Sequence, residues 1–209
     1  MAAPLPPLPP APAVSDDDVH PGGRSMVDIL IDDHHQIIAL CNRLGEHLTD
    51  PAETPSLTDV LVAMLSRHLS VDEQYTYPTA RAVLPDGALL ADQELSEDAA
   101  MLHTLKELHT TPVDDPAYPR LVDTVTRQVA RHAERASYEI FPRLRERCSE
   151  NELIRLGNRV EIAHEAAPTR PHPATPLTPP ANKVVDPAVG VVDKIRDVVV
   201  GRTTWPEDL

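Results

Sequence analysis

The chain has 209 residues, 41% of them hydrophobic but only 3% aromatic, and a formal net charge of −14. That length suits one domain with appendages, and the acid excess argues against phosphate backbones and anionic membrane surfaces as partners. Two cysteines, Cys41 and Cys148, are too few for a disulfide framework, and no run approaches the apolar length of a membrane span.

Residues 1–24 are Pro-rich and then acidic, and are expected to form an extended, disordered tail. The opening MAAPLPPLPPAPAV lacks the basic region of a signal peptide, so a soluble cytoplasmic protein is expected. Ser25 is placed to cap a first helix over about 26–48, with Ile31, His34, Ile38, Cys41 and either Leu44 or Leu48 on one face. Pro51 and Pro55 close a loop, and Ser56 can cap a second helix over about 56–77 with Leu57, Val60, Leu61, Met64, Leu65, His68 and Asp72 inward.

Pro85-Asp86-Gly87 signals a turn before a third helix over about 88–110, with Leu95, Asp98, Leu102, Leu105 and Leu108 inward. Pro112 and Pro116 mark the next loop. A fourth helix over about 118–147 carries Leu121, Val125, Val129, His132, Ala136 and Ile140, and Pro142 must kink it or sit where a missing hydrogen bond is tolerated. Ser149 and Glu152 make a capping box for a short fifth helix over about 150–166. A Pro-rich linker follows to about 186, then an amphipathic C-terminal helix and tail over 187–209. The Pro-rich tails could meet a protein partner, and that last helix could dock either back on the bundle or on a partner. Four main helices joined by short loops imply an all-α, antiparallel up-down-up-down four-helix bundle over 25–148.

An internal repeat crosses this arrangement. HLSVDEQYTYP begins at His68 and HAERASYEIFP at His132, an offset of 64 that also carries Asp33-His34 onto Glu97-Asp98 and Leu44 onto Leu108. On the second helix His68 and Asp72 are four apart, so imidazole and carboxylate share a face. His34, Asp98 and His132 take inward positions on the other three helices, giving five candidate metal ligands: His34, His68, Asp72, Asp98 and His132. Inward polar groups left unpaired are costly, so these need one another, water or an ion. Mixed nitrogen and oxygen donors suit iron, zinc or manganese better than calcium or magnesium. Arg135, three residues after His132, either pairs with Asp72 or Asp98 or lies exposed beside Glu139. His103 reads as a surface histidine.

In LIDDHHQIIAL, HLSVDEQYTYP and HAERASYEIFP the chain resembles the hemerythrin-like, or HHE cation-binding, family over about 26–147. The resemblance implies a four-helix bundle holding a non-haem di-iron centre that binds dioxygen, with some members sensing or processing peroxide or nitric oxide. His34, His68 and His132 coincide with family ligands, and Asp72 stands where the family has Glu. Asp98 replaces a family histidine, Leu102 stands where a second ligand could follow, and Ala136 replaces a family carboxylate. The expected function is therefore a reduced or mononuclear non-haem iron site that binds or senses a small oxidant, rather than a fast enzyme. The alternative is a metal-free bundle kept as a scaffold or interaction module. A zinc-dependent hydrolytic or redox enzyme ranks last, because no nucleophile or cofactor-binding pattern accompanies the site.

Overall fold

The computed structural model describes residues 21–173 and 182–209. Most of the Pro-rich N-terminal tail and the middle of the Pro-rich linker lie outside them. The described residues form helices α1 (Met26–Glu46), α2 (Thr54–Val71), α3 (Tyr77–Val83), α4 (Gly87–Thr110), α5 (Tyr118–Arg135), α6 (Phe141–Arg147), α7 (Glu150–Ala166) and α8 (Asn182–Val200), with no strand among them. α2 runs into α3, and α5 into α6, through π-helical turns at Asp72–Thr76 and Ala136–Ile140. The result is the four-helix bundle, with α1 packed on α2 and α5, and α4 packed on α2, α3 and α5. No helix among the described residues is long and apolar enough to cross a membrane.

Helix starts follow local chemistry, with two departures from expectation. The Ser25 side chain accepts from the Val27 N–H, and Ser149 and Glu152 close a capping box on α7. Ser56, however, is not a cap: α2 begins at Thr54, with Pro55 inside its first turn. Pro is tolerated there because the first N–H groups of a helix have no intrahelical partner. Thr54 Oγ1 instead donates to the carbonyls of His47 and Asp50, at 2.5 and 2.6 Å, tying the loop down. At Gly87, which opens α4, a Cβ would stand 1.9 Å from the Ala80 carbonyl oxygen, so the α3–α4 turn needs a glycine.

The two π turns explain the aromatic-proline trailer of the repeat. Pro78 and Pro142 have no N–H, and the ring of a mid-helix proline collides with the carbonyl four residues back. Each chain segment takes up one extra residue just before its proline: the Tyr77 N–H bonds to the Asp72 carbonyl and the Phe141 N–H to the Ala136 carbonyl. The second helix therefore does not end near 77 but continues through α3 to Val83. Both aromatics are buried, at 1% and 2% exposure for Tyr77 and Phe141.

α7 lies against α1 and α2, and it widens the buried arc of α1. Leu30, Ile37 and Leu40 are buried alongside His34, Cys41 and Leu44, while Ile31 and Ile38, expected inward, are half-buried. α2 is buried almost all round because the C-terminal tail covers its outer face. There Arg202 bonds to Asp59 Oδ1 at 2.7 Å, and Arg67 donates to the Thr204 carbonyl at 2.8 Å with its guanidinium 3.8 Å from the centre of the Trp205 ring. α8 docks with its acidic side inward. Asp197 accepts from Thr169 and Arg170, and Asp193 accepts from the Arg170 N–H and pairs with His172. Val191, Val192, Val198, Val199 and Val200 of α8 face outward.

Candidate metal centre

Helical register brings four side chains from three helices to one point. His34 comes from α1, His68 from the last turn of α2, Asp72 from the first residue of the first π turn, and His132 from the last turn of α5. One donor atom from each lies within 4.8 Å of the others, and all four residues are buried. His34 Nε2 is 2.9 Å from His68 Nε2, which is 3.2 Å from His132 Nε2. Asp72 Oδ2 is 3.3 Å from both His68 Nε2 and His132 Nε2.

That spacing fits a shared cation. Donors about 2.1 Å from one first-row ion stand roughly 3.0–3.4 Å apart at ligand–metal–ligand angles of about 90–110°. Three imidazole nitrogens and a carboxylate are also a borderline donor set, suited to zinc, iron or manganese rather than to calcium. Asp72 Oδ1 is buried without a hydrogen-bond partner among the described residues, which is a costly state for a carboxylate that serves only as an ion-pair partner.

Charge inside the pocket is balanced around this point. For His34, burial and the neighbouring charges on His68 and His132 hold the pKa well below the usual imidazole value. Burial opposes a charge on His68, but the Asp72 and Asp33 carboxylates outweigh it and raise the pKa to about 9. Burial likewise opposes a charge on His132, and Asp98 and Asp72 carry its pKa well above the usual value. Burial works against ionised Asp72, yet the two imidazoles hold its pKa well below the carboxylate range.

Asp98, expected as a fifth ligand, is not in this ring. Its Oδ1 lies 3.3 Å from His132 Nδ1, on the far side of the imidazole from the other donors. Its Oδ2 accepts a 2.5 Å hydrogen bond from the Tyr77 hydroxyl, so the carboxylate stands behind His132 rather than beside the other donors. Arg135 takes neither of its expected places. It pairs with Glu94 at 2.6 Å and Glu97 at 2.9 Å, both on α4, because that face of α5 looks onto α4 rather than into the pocket. Glu73 is buried but lines a separate cavity with Ser66, Ser70 and Arg170, and His103 and Glu139 are exposed.

Three contributors escaped sequence reasoning. Asp33 Oδ2 hydrogen-bonds to His68 Nδ1 at 3.2 Å, on the side of that ring away from the other donors. His164 of α7 places Nε2 3.1 Å from that same oxygen. Phe141 stacks on His34, with ring centres 5.7 Å apart at 22°. The repeat offset, which pairs Asp33 with Glu97, was the available signal for Asp33. Nothing in the sequence pointed to His164, which comes from a helix outside the repeat.

Comparison with known proteins agrees with this geometry. Residues 25–144 match the hemerythrin HHE cation-binding domain. The chain is 23% identical over 143 residues to an uncharacterized hemerythrin-like protein of Schizosaccharomyces pombe, covering 68% of this chain and 69% of that one. Its fold is similar to a crystal structure of a hemerythrin HHE cation-binding domain-containing protein from Mycobacterium kansasii, with a TM-score of 0.60, 22% identity, and coverage of 68% of this chain and 86% of the other. With its four-helix bundle, its converging imidazoles and more than half its length matched, the chain belongs to the hemerythrin HHE cation-binding family.

Proposed function

We propose that this protein binds one non-haem iron ion through His34, His68, Asp72 and His132, and uses it to bind or sense a small oxidant such as dioxygen, peroxide or nitric oxide. The observation that carries this reading is the convergence of three Nε2 atoms and Asp72 Oδ2 within 4.8 Å. Iron held by four protein donors keeps coordination positions for exogenous ligands and supplies one-electron chemistry.

The protein's own groups fit that task. Asp33 hydrogen-bonds to His68 Nδ1, which fixes that ring with Nε2 inward, and Asp98 Oδ1 stands 3.3 Å from His132 Nδ1 at ion-pair distance. Phe141 holds the His34 ring from one face. A cavity of about 240 Å³ between α4 and α5 has His132 in its wall, room for a small molecule beside one of the four donor residues. A single ion is favoured over a pair because Ala136 and Asp98 occupy the places where a second ion would need ligands.

The deciding experiment is elemental analysis of the full chain, expressed with iron and never exposed to chelator. About one iron per chain supports this reading, and His68→Ala should then lose it while the helices stay folded. Two irons would mean that further groups complete a dinuclear site. No metal would favour the scaffold reading, to which the missing donors at Asp98 and Ala136 lend support.

A further inference from the structure

α7 lies beyond the residues that match the family, 25–144, and yet it reaches the donor cluster. His164 in its last turn holds Nε2 3.1 Å from Asp33 Oδ2. The same oxygen lies 3.2 Å from His68 Nδ1, and His68 Nε2 faces His34, His132 and Asp72. Exposure rises along this line, from 1% at the His68 side chain to 16% at Asp33 and 18% at His164. A carboxylate with that much exposure has water as a rival partner, and turning toward water would release His68 Nδ1. A second imidazole nitrogen 3.1 Å from the same oxygen, at ion-pair distance, opposes that turn.

α7 itself is fixed where this contact needs it. At Gly157 a Cβ would stand 2.0 Å from the Arg24 carbonyl oxygen, so the helix lies directly on the segment that leads into α1, the helix that carries Asp33. Asn158 also donates to the Gly22 carbonyl at 3.1 Å, and the capping box at Ser149 sets where the helix begins.

We propose that His164 is a positioning residue of the metal centre: by holding Asp33 Oδ2 it fixes the His68 ring with Nε2 toward the ion, which makes α7 part of the site. This rests on the cation-binding reading above and concerns how tightly the ion is held.

The test titrates metal-free, full-length protein with Co²⁺ and follows the cobalt d–d absorbance. The chains compared are the parent, His164→Ala, His164→Gln, Asp33→Ala and the His164→Ala/Asp33→Ala double variant. Asp33→Ala should weaken Co²⁺ binding about 10–100-fold, as loss of a ligand's hydrogen-bond partner does, and His164→Ala, acting one contact further out, roughly 3–10-fold with a shifted band. His164→Gln, which keeps an N–H donor, should restore affinity and spectrum. The double variant should bind no more weakly than Asp33→Ala alone, because the histidine acts through the carboxylate. Ile162→Ala, exposed on the same helix, should change neither.

Additive losses in the double variant, or an unchanged affinity and spectrum for His164→Ala, would overturn the proposal. A parent that takes up no Co²⁺ overturns the cation-binding reading instead. Positioning is then read in metal-free protein from the imidazole nitrogen NMR signals of His68. His164→Ala must shift them and His164→Gln must bring them back; signals that stay put sink the inference.

Discussion

In the first half of the repeat Leu30 and Val71 sit together in one apolar cluster; an offset of 64 puts Glu94 and Arg135 in those places, paired at 2.6 Å with Glu94 1% exposed. His34, a donor, becomes Asp98, which accepts from Tyr77. Asp72, another donor, becomes Ala136. The aromatics after each π turn serve the opposite half: Phe141 stacks on His34, and Tyr77 bonds to Asp98. One backbone plan thus carries two chemistries. In the first half His34, His68 and Asp72 converge on one point, with apolar side chains packed around them. In the second half His132 remains aimed inward, and the other polar groups are paired with protein partners. Burial pushes the Glu94 carboxyl up, and the Arg135 guanidinium offsets this. The lesson is that a duplicated fold can drop an ion position if each stranded polar group gains a partner of its own.

The largest effect should come from removing a donor that has no counterpart in the other half. Asp72→Ala is expected to take metal content from about one ion per chain to none, with helix content by circular dichroism unchanged; metal retained by this variant would break the comparison. Next, Asp98→His with Ala136→Glu gives the second half the donor types that the family pattern has there, and should raise the stoichiometry from one ion to two by elemental analysis. A ratio that stays at one would show that more than donor identity separates the halves.

The ion pair offers a smaller effect. Arg135→Ala leaves a buried carboxylate uncompensated and should destabilise the fold by about 2–3 kcal/mol in urea titration, less than a fully buried pair because the arginine is partly solvated. Glu94→Leu with Arg135→Val copies the first half, and should recover most of that loss. If the double variant is as unstable as the single one, the halves do not pack alike. Smallest, Tyr77→Phe removes the donor from Asp98 and should cost about 1–2 kcal/mol, with metal binding weakened several-fold. An unchanged affinity would mean that Asp98 does not set the orientation of His132.

Much of this was open to sequence reading because it is local. Ser25, the Ser149–Glu152 box and the turn at Gly87 fix helix starts through contacts within a few residues. Periodicity placed His34, His68, Asp72 and His132 inward, since the four fall on faces set by 3.6 residues per turn. It also placed Asp98 inward, and Asp98 is fully buried. What periodicity does not carry is which side of an imidazole a carboxylate meets. That depends on the spacing and rotation of α4 against α5, to within an ångström, and it put Asp98 behind His132.

By itself, then, the sequence determined the all-helical bundle, the repeat, the family and the four inward donors, because each follows from backbone hydrogen bonding and the burial of one helix face. The tertiary structure decided the rest: the π turns before Pro78 and Pro142, the partners of Arg135, the inward acidic side of α8, and the contacts of Asp33 and His164 with the pocket. The partners of Arg135 and His164 lie 38 to 131 residues away along the chain, and only packing brings such groups together.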